Sequence, residues 1–108
     1  MFSATQRMST YLVAFLVSDF TYRPSYTDDG MEFRIWARDD LYEQTRYASD
    51  IGPVVLDFYE QYFNLPFPLP KQDMVAVPDF NAGAMENWGL VRLGRKSTID
   101  ATANNNFC

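Results

Sequence analysis

Histidine is absent from this 108-residue chain. Without imidazole, neither a Ser-His-Asp or Cys-His nucleophile nor a His-ligated zinc can be assembled from these residues alone. Cysteine occurs once, at Cys108, which rules out an internal disulfide and a cysteine metal cluster. Long apolar runs are missing too. The longest, Tyr11 to Val17, falls well short of the roughly 18–20 residues that a bilayer span needs. It follows Arg7, but Ser18, Asp19 and Phe20-Thr21-Tyr22 come next instead of a small-residue cleavage site, so no signal peptide is expected. Positive charge is scarce: 9 Lys and Arg stand against 14 Asp and Glu, a net charge of −5. The chain has no basic footprint for phosphate backbones, and nucleic acid is excluded as an expected partner.

What is present favours a globular fold. Hydrophobic residues make up 47% of the chain and charged residues 21%, the balance of a folded domain and not of a disordered tract. The length suffices for one modest core, not for a two-domain enzyme.

Ser9 to Phe20 reads as a strand covered on both faces, because its apolar residues are consecutive and rich in Val, Phe and Tyr. Turn formers follow at Tyr22-Arg23-Pro24-Ser25 and Asp28-Asp29-Gly30. Met31 to Arg38 then alternates, with Met31, Phe33, Ile35 and Ala37 on one face and Glu32, Arg34, Trp36 and Arg38 on the other. A hairpin is expected, the first strand central and the second half-exposed. From Leu41 the spacing changes to threes and fours, through Tyr42, Thr45, Ala48, Ile51, Val54, Val55, Phe58, Tyr59 and Tyr62, which predicts a core-facing helix over roughly Leu41 to Phe63. Gly52-Pro53 interrupts this pattern, so either a second helix begins with Pro53 in its first turn or one helix kinks there.

Asn64 to Pro70 carries a proline at every second position and predicts a rigid extended connector. Met74 to Val77 predicts a short strand stopped by Pro78, and Trp88 to Leu93 another. Between them, Asn81-Ala82-Gly83-Ala84 is small enough for a second backbone to approach. Gly94 to Cys108 has no periodic apolar face and is expected to be an unstructured tail.

Glu86 lies among small residues just before a strand. A carboxylate held there can receive a cation, while the neighbouring backbone groups can pair with an extended peptide, as in strand addition at a sheet edge. A solvated surface glutamate in a plain turn fits the same residues.

The run Pro78-Asp79-Phe80-Asn81-Ala82-Gly83-Ala84-Met85-Glu86-Asn87-Trp88-Gly89-Leu90 resembles the exopeptidase signature of the M1 family of zinc aminopeptidases. Met8 to Phe15, Phe33 to Arg38 and Phe67 to Lys71 resemble the family in the same order, so the likeness spans about residues 8–91. It implies an α+β architecture in which residues 1–40 end an N-terminal β-sandwich-like domain and residues 41–91 begin a thermolysin-like catalytic domain, with the division near Asp40. It also implies the site. Glu86 would bind the substrate's free α-ammonium, the main chain of Gly83 and Ala84 would lie along the peptide, Met85 would line the pocket for the first side chain, and Asn87 would complete the substrate-binding set. An α-amino group with a pKa of about 8 is mostly cationic at neutral pH, so a fixed carboxylate would distinguish a chain end from an internal peptide bond.

The family's zinc is held by a His-Glu-x-x-His helix and a later Glu. This chain has no such helix, so no metal site and no catalytic residue are expected in it. After Val91 the family usually continues Thr-Tyr-Arg-Glu, whereas this chain reads Arg92-Leu93-Gly94-Arg95, and residues 92–108 are expected to be a disordered, non-family tail of a truncated product. The resemblance implies a peptide with a free N-terminus as partner, a homodimeric parent, and a parent at the extracellular face of the plasma membrane. The fragment alone is expected to be inactive. The alternatives are a non-catalytic module that binds peptide N-termini or a homologous chain, and an unstable truncated product.

Overall fold

A computed structural model of the chain describes residues 4–80 and 83–94. Of the expected tail, Arg92, Leu93 and Gly94 are ordered as the end of a strand, and the rest lies outside the described residues, as do Asn81 and Ala82. Five strands form one mixed sheet: β1 (Thr21–Tyr26), β2 (Glu32–Ala37), β3 (Lys71–Val77), β4 (Ala84–Met85) and β5 (Leu90–Gly94), in the order β1-β2-β3-β5-β4. β2, β3 and β5 run parallel, and β1 and β4 close the two edges antiparallel. A 3-10 segment, Asp39–Thr45, leads into a long helix, α1 (Arg46–Phe63), which carries the chain from β2 over to β3. A parallel pair requires such a crossover. The result is the expected α+β class.

The alternation read from β2 holds. Phe33, Ile35 and Ala37 are buried, with Leu41, Val75 and Ala76, while Glu32, Arg34 and Trp36 are half-buried on the opposite face. Three other expectations are corrected. The apolar run Ser9 to Phe20 is not a strand: Thr10–Leu12 forms a 3-10 turn, and Phe15 and Val17 are 87% and 91% exposed. A strand apolar on both faces needs covering neighbours, and among the described residues no strand pairs with it. The hairpin partner of β2 is instead Thr21–Tyr26, where turn formers predicted a loop. Pro24 is tolerated because β1 is an edge strand, where alternate backbone N–H groups have no neighbour to bond.

The third correction concerns α1. Its expected core face is open: Val54, Val55, Phe58, Tyr59 and Tyr62 are exposed, and Ser49 and Pro53 are the buried residues of the helix. The helix meets the sheet through its smaller side chains. At Gly52 a methyl group would sit 2.5 Å from Cζ of Phe33, so the close approach of α1 to β2 depends on glycine there. The aromatics stack on one another instead, Phe58 with Tyr62 at 6.0 Å and Tyr59 with Phe63 at 5.9 Å between ring centroids. The helix runs unbroken through Gly52-Pro53. It ends at Asn64, in the left-handed conformation with φ 50°, where the Leu65 N–H closes the last turn on the Glu60 carbonyl at 3.1 Å. The Glu60 carboxylate then accepts the Phe67 N–H and ties the proline-rich connector to the helix. β3 begins at Lys71, three residues before the expected start.

Candidate functional site

The segment between β3 and β5 carries the expected site. Pro78 follows the last residue of β3, and Asp79 turns the chain with φ 56°. Gly83 and Gly89 adopt φ of 75° and 83°, which glycine reaches without strain. At Gly89 an added methyl would also lie 2.9 Å from Leu69 Cδ1. Between the two glycines, β4 pairs with β5 so that Ala84 faces Leu93 and Met85 faces Arg92. The Gly94 N–H donates to the Gly83 carbonyl at 2.7 Å, and the Asp73 N–H donates to the Gly89 carbonyl at 3.0 Å. Both ends of the segment are thus fastened to the sheet.

β4 is the outermost strand on this side, so its second edge faces away from β5. An edge of this kind presents unpaired N–H and C=O groups that an extended chain can join. Gly83 and Ala84 are exposed and Met85 is half-buried. Glu86 follows β4 directly and is exposed, and among the described residues no side chain is paired with its carboxylate.

Asn87 is different. It is 1% exposed, its Nδ2 donates to the Leu12 carbonyl at 3.2 Å, and its Oδ1 accepts from Arg92 Nε at 2.9 Å. Its carbonyl accepts the Leu90 N–H at 3.0 Å. Four of the five expected site residues therefore lie along the accessible strand and its end, while Asn87 sits inside with its amide engaged at both ends. Sequence reasoning did not single out Arg92, Phe80 or the Leu12 carbonyl as parts of this arrangement. The guanidinium of Arg92 lies 5.3 Å from the centre of the Phe80 ring. The one signal for Arg92 was its place in the stretch where the family pattern changes.

Beneath the loop, Asp73 accepts the Trp36 indole N–H at 2.9 Å and pairs with Lys71. Lys71 is pushed below the ordinary lysine value, first by burial and then by the nearby Arg34 charge, against the opposing pull of Glu32. These groups brace β3. For zinc, the donors present do not fit. The chain has no histidine, and among the described residues no three His, Cys, Asp or Glu side chains are grouped to hold a metal ion.

The model of the peptidase family M1 domain matches residues 47–106, a span that runs beyond Val91. Endoplasmic reticulum aminopeptidase 2 of Bos taurus is 52% identical to this chain over 98 residues. Endoplasmic reticulum aminopeptidase 1 of Mus musculus and aminopeptidase N of Haemonchus contortus are each 49% identical over 98 residues. Each alignment covers 91% of this chain and 10% of the relative, so the chain spans about a tenth of the length of the proteins it matches.

Proposed function

Because the chain belongs to peptidase family M1, we propose that it carries the part of an aminopeptidase that grips the free α-ammonium of a peptide, with Glu86 as the gripping carboxylate. The observation that carries this is the exposed Glu86 at the end of an edge strand, with no side chain paired to it among the described residues. A peptide laid against the open side of β4 would pair with the main chain at Gly83 and Ala84, bring its first side chain against Met85 and end at Glu86. Asn87, inside the loop, supports the strand from behind. The parent enzyme would remove N-terminal residues with zinc held by its remaining sequence, and this chain alone would be inactive. A domain division near Asp40 belongs to the same proposal. The family match beginning at residue 47 supports it, and the sheet joins its two sides, β2 pairing with β3 across it. For location, the endoplasmic reticulum in the names of two relatives stands beside the plasma membrane as a compartment for the parent. Among the described residues no helix is long and apolar enough to cross a membrane.

The test is a titration of the 108-residue chain with a tetrapeptide amide bearing a free N-terminus, against the same peptide acetylated at Nα. Glu86 is exposed here, and an exposed ion pair is worth up to about 1 kcal/mol, roughly a fivefold preference in Kd. In a closed site that excludes water the figure rises to roughly 2–5 kcal/mol. Glu86→Gln keeps the shape and removes the charge, so the preference for the free amine should disappear. Equal binding of both peptides by the unaltered chain would overturn the assignment.

A further inference from the structure

We propose that Arg92 is a positioning residue for Glu86, clamping both ends of the segment that carries it. The side chain stands on β5 directly opposite Met85. From there it reaches in two directions. Its Nε donates to Asn87 Oδ1 at 2.9 Å, and its guanidinium lies 5.3 Å from the Phe80 ring centre. Phe80 precedes β4 and Asn87 follows Glu86, so a single planar cation touches the segment before and after the strand. Asn87 passes the connection onward by donating to the Leu12 carbonyl.

A planar guanidinium suits this double role, because it presents N–H donors at its edge and a face for an aromatic ring. Asn87 is buried, so the loss of its Arg92 donor would leave a polar oxygen without water or partner. The β4–β5 ladder is only two residues long and by itself makes a weak fastening. A short side chain such as threonine at position 92 could not reach both partners. The clamp stands on these contacts alone, and only its consequence for peptide binding rests on the amine-binding role proposed for Glu86.

The test is residue-resolved amide hydrogen exchange on the 108-residue chain, without peptide, for the unaltered protein, Arg92→Ala and Arg92→Lys. Arg92→Ala should speed exchange at Ala84 to Asn87 and at Gly94 by at least tenfold and leave the amides of β2 and β3 within twofold. Arg92→Lys keeps a cation and a donor and should recover part of that loss. The clamp is refuted by a loop that exchanges at the unaltered rate in Arg92→Ala. It is equally refuted by a rise in β2 and β3 as large as that in the loop, which would make Arg92 a general support of the sheet. A parallel peptide titration separates the two proposals. Loop loosening by Arg92→Ala, in a chain that shows no preference for a free amine, supports the clamp and removes the role given to Glu86. Unchanged loop exchange with an intact free-amine preference does the reverse.

Discussion

Glu32 and Asp29 are two carboxylates through which acid should weaken this fold. Arg34 donates to both oxygens of Glu32, at 2.8 and 2.6 Å, and this pairing holds Glu32 below the ordinary glutamate value of 4.5. Asp29 is held below its ordinary value of 3.8, first by the Thr27 hydroxyl and then by the Met31 N–H. In both cases the unfolded chain takes up its proton before the folded one does. Stability is therefore complete above the ordinary values and is lost as pH falls from about 4.5 through the lowered folded values. Lys71 acts at the alkaline end. Its value is also lowered on folding, so the folded chain sheds its proton first and stability rises with pH toward the ordinary 10.5. Urea midpoints measured from pH 6 to pH 2.5 should show the acid loss, and Glu32→Gln with Asp29→Asn should flatten it. An unchanged acid limb in that double variant would show that other carboxylates govern it.

At the scale of elements, the seat of α1 on β2 is the contact most open to test. Gly52→Ala should gain about 1 kcal/mol of helix propensity. It also drives a methyl group into the Phe33 ring, which is 4% exposed and has little room to turn aside. Overpacking of this kind costs roughly 1–3 kcal/mol, so the packing penalty should win and lower the urea midpoint. A variant as stable as the parent chain would mean that the helix can lift from the sheet without loss. The same contact explains why the helix was legible and its orientation was not. Threes and fours from Leu41 onward marked a helix ending near Phe63, and its α-helical part does end there. The periodicity reported an apolar face without saying what covers it, and the sheet instead took the side with Ser49, Gly52 and Pro53. The alternation of Met31 to Arg38 could be read directly, because one face is buried within the chain. Ser9 to Phe20 misled for the opposite reason, since its composition implied neighbours that the described residues do not supply. The glycine-bounded segment around Glu86 was readable as a motif. The Arg92, Phe80 and Asn87 contacts were not, because they join positions that only strand pairing brings together.

For the molecule as a whole, the exposed aromatics of α1 and the apolar run around Phe15 leave large apolar side chains open to solvent among the described residues. Phe58 and Tyr62 are 58% and 71% exposed, and contiguous apolar surface on this scale drives association. Sedimentation velocity over rising concentration should show a growing weight-average coefficient, and Phe58→Glu with Tyr62→Glu should suppress that growth. A monomer throughout would show that the stacked rings satisfy one another. The strand order has a consequence of a different kind, for the sequence of events in folding. The β1–β2 hairpin closes across five residues, but β3 joins β2 only after the long excursion through α1, and β5 has no strand but β3 to build on before β4 folds back. Ring closures of that length are slow compared with a hairpin. The edge formed by β4 is therefore the last part of the sheet to acquire its template, and a nascent chain would present β1 and β2 well before it could hold Glu86 in place.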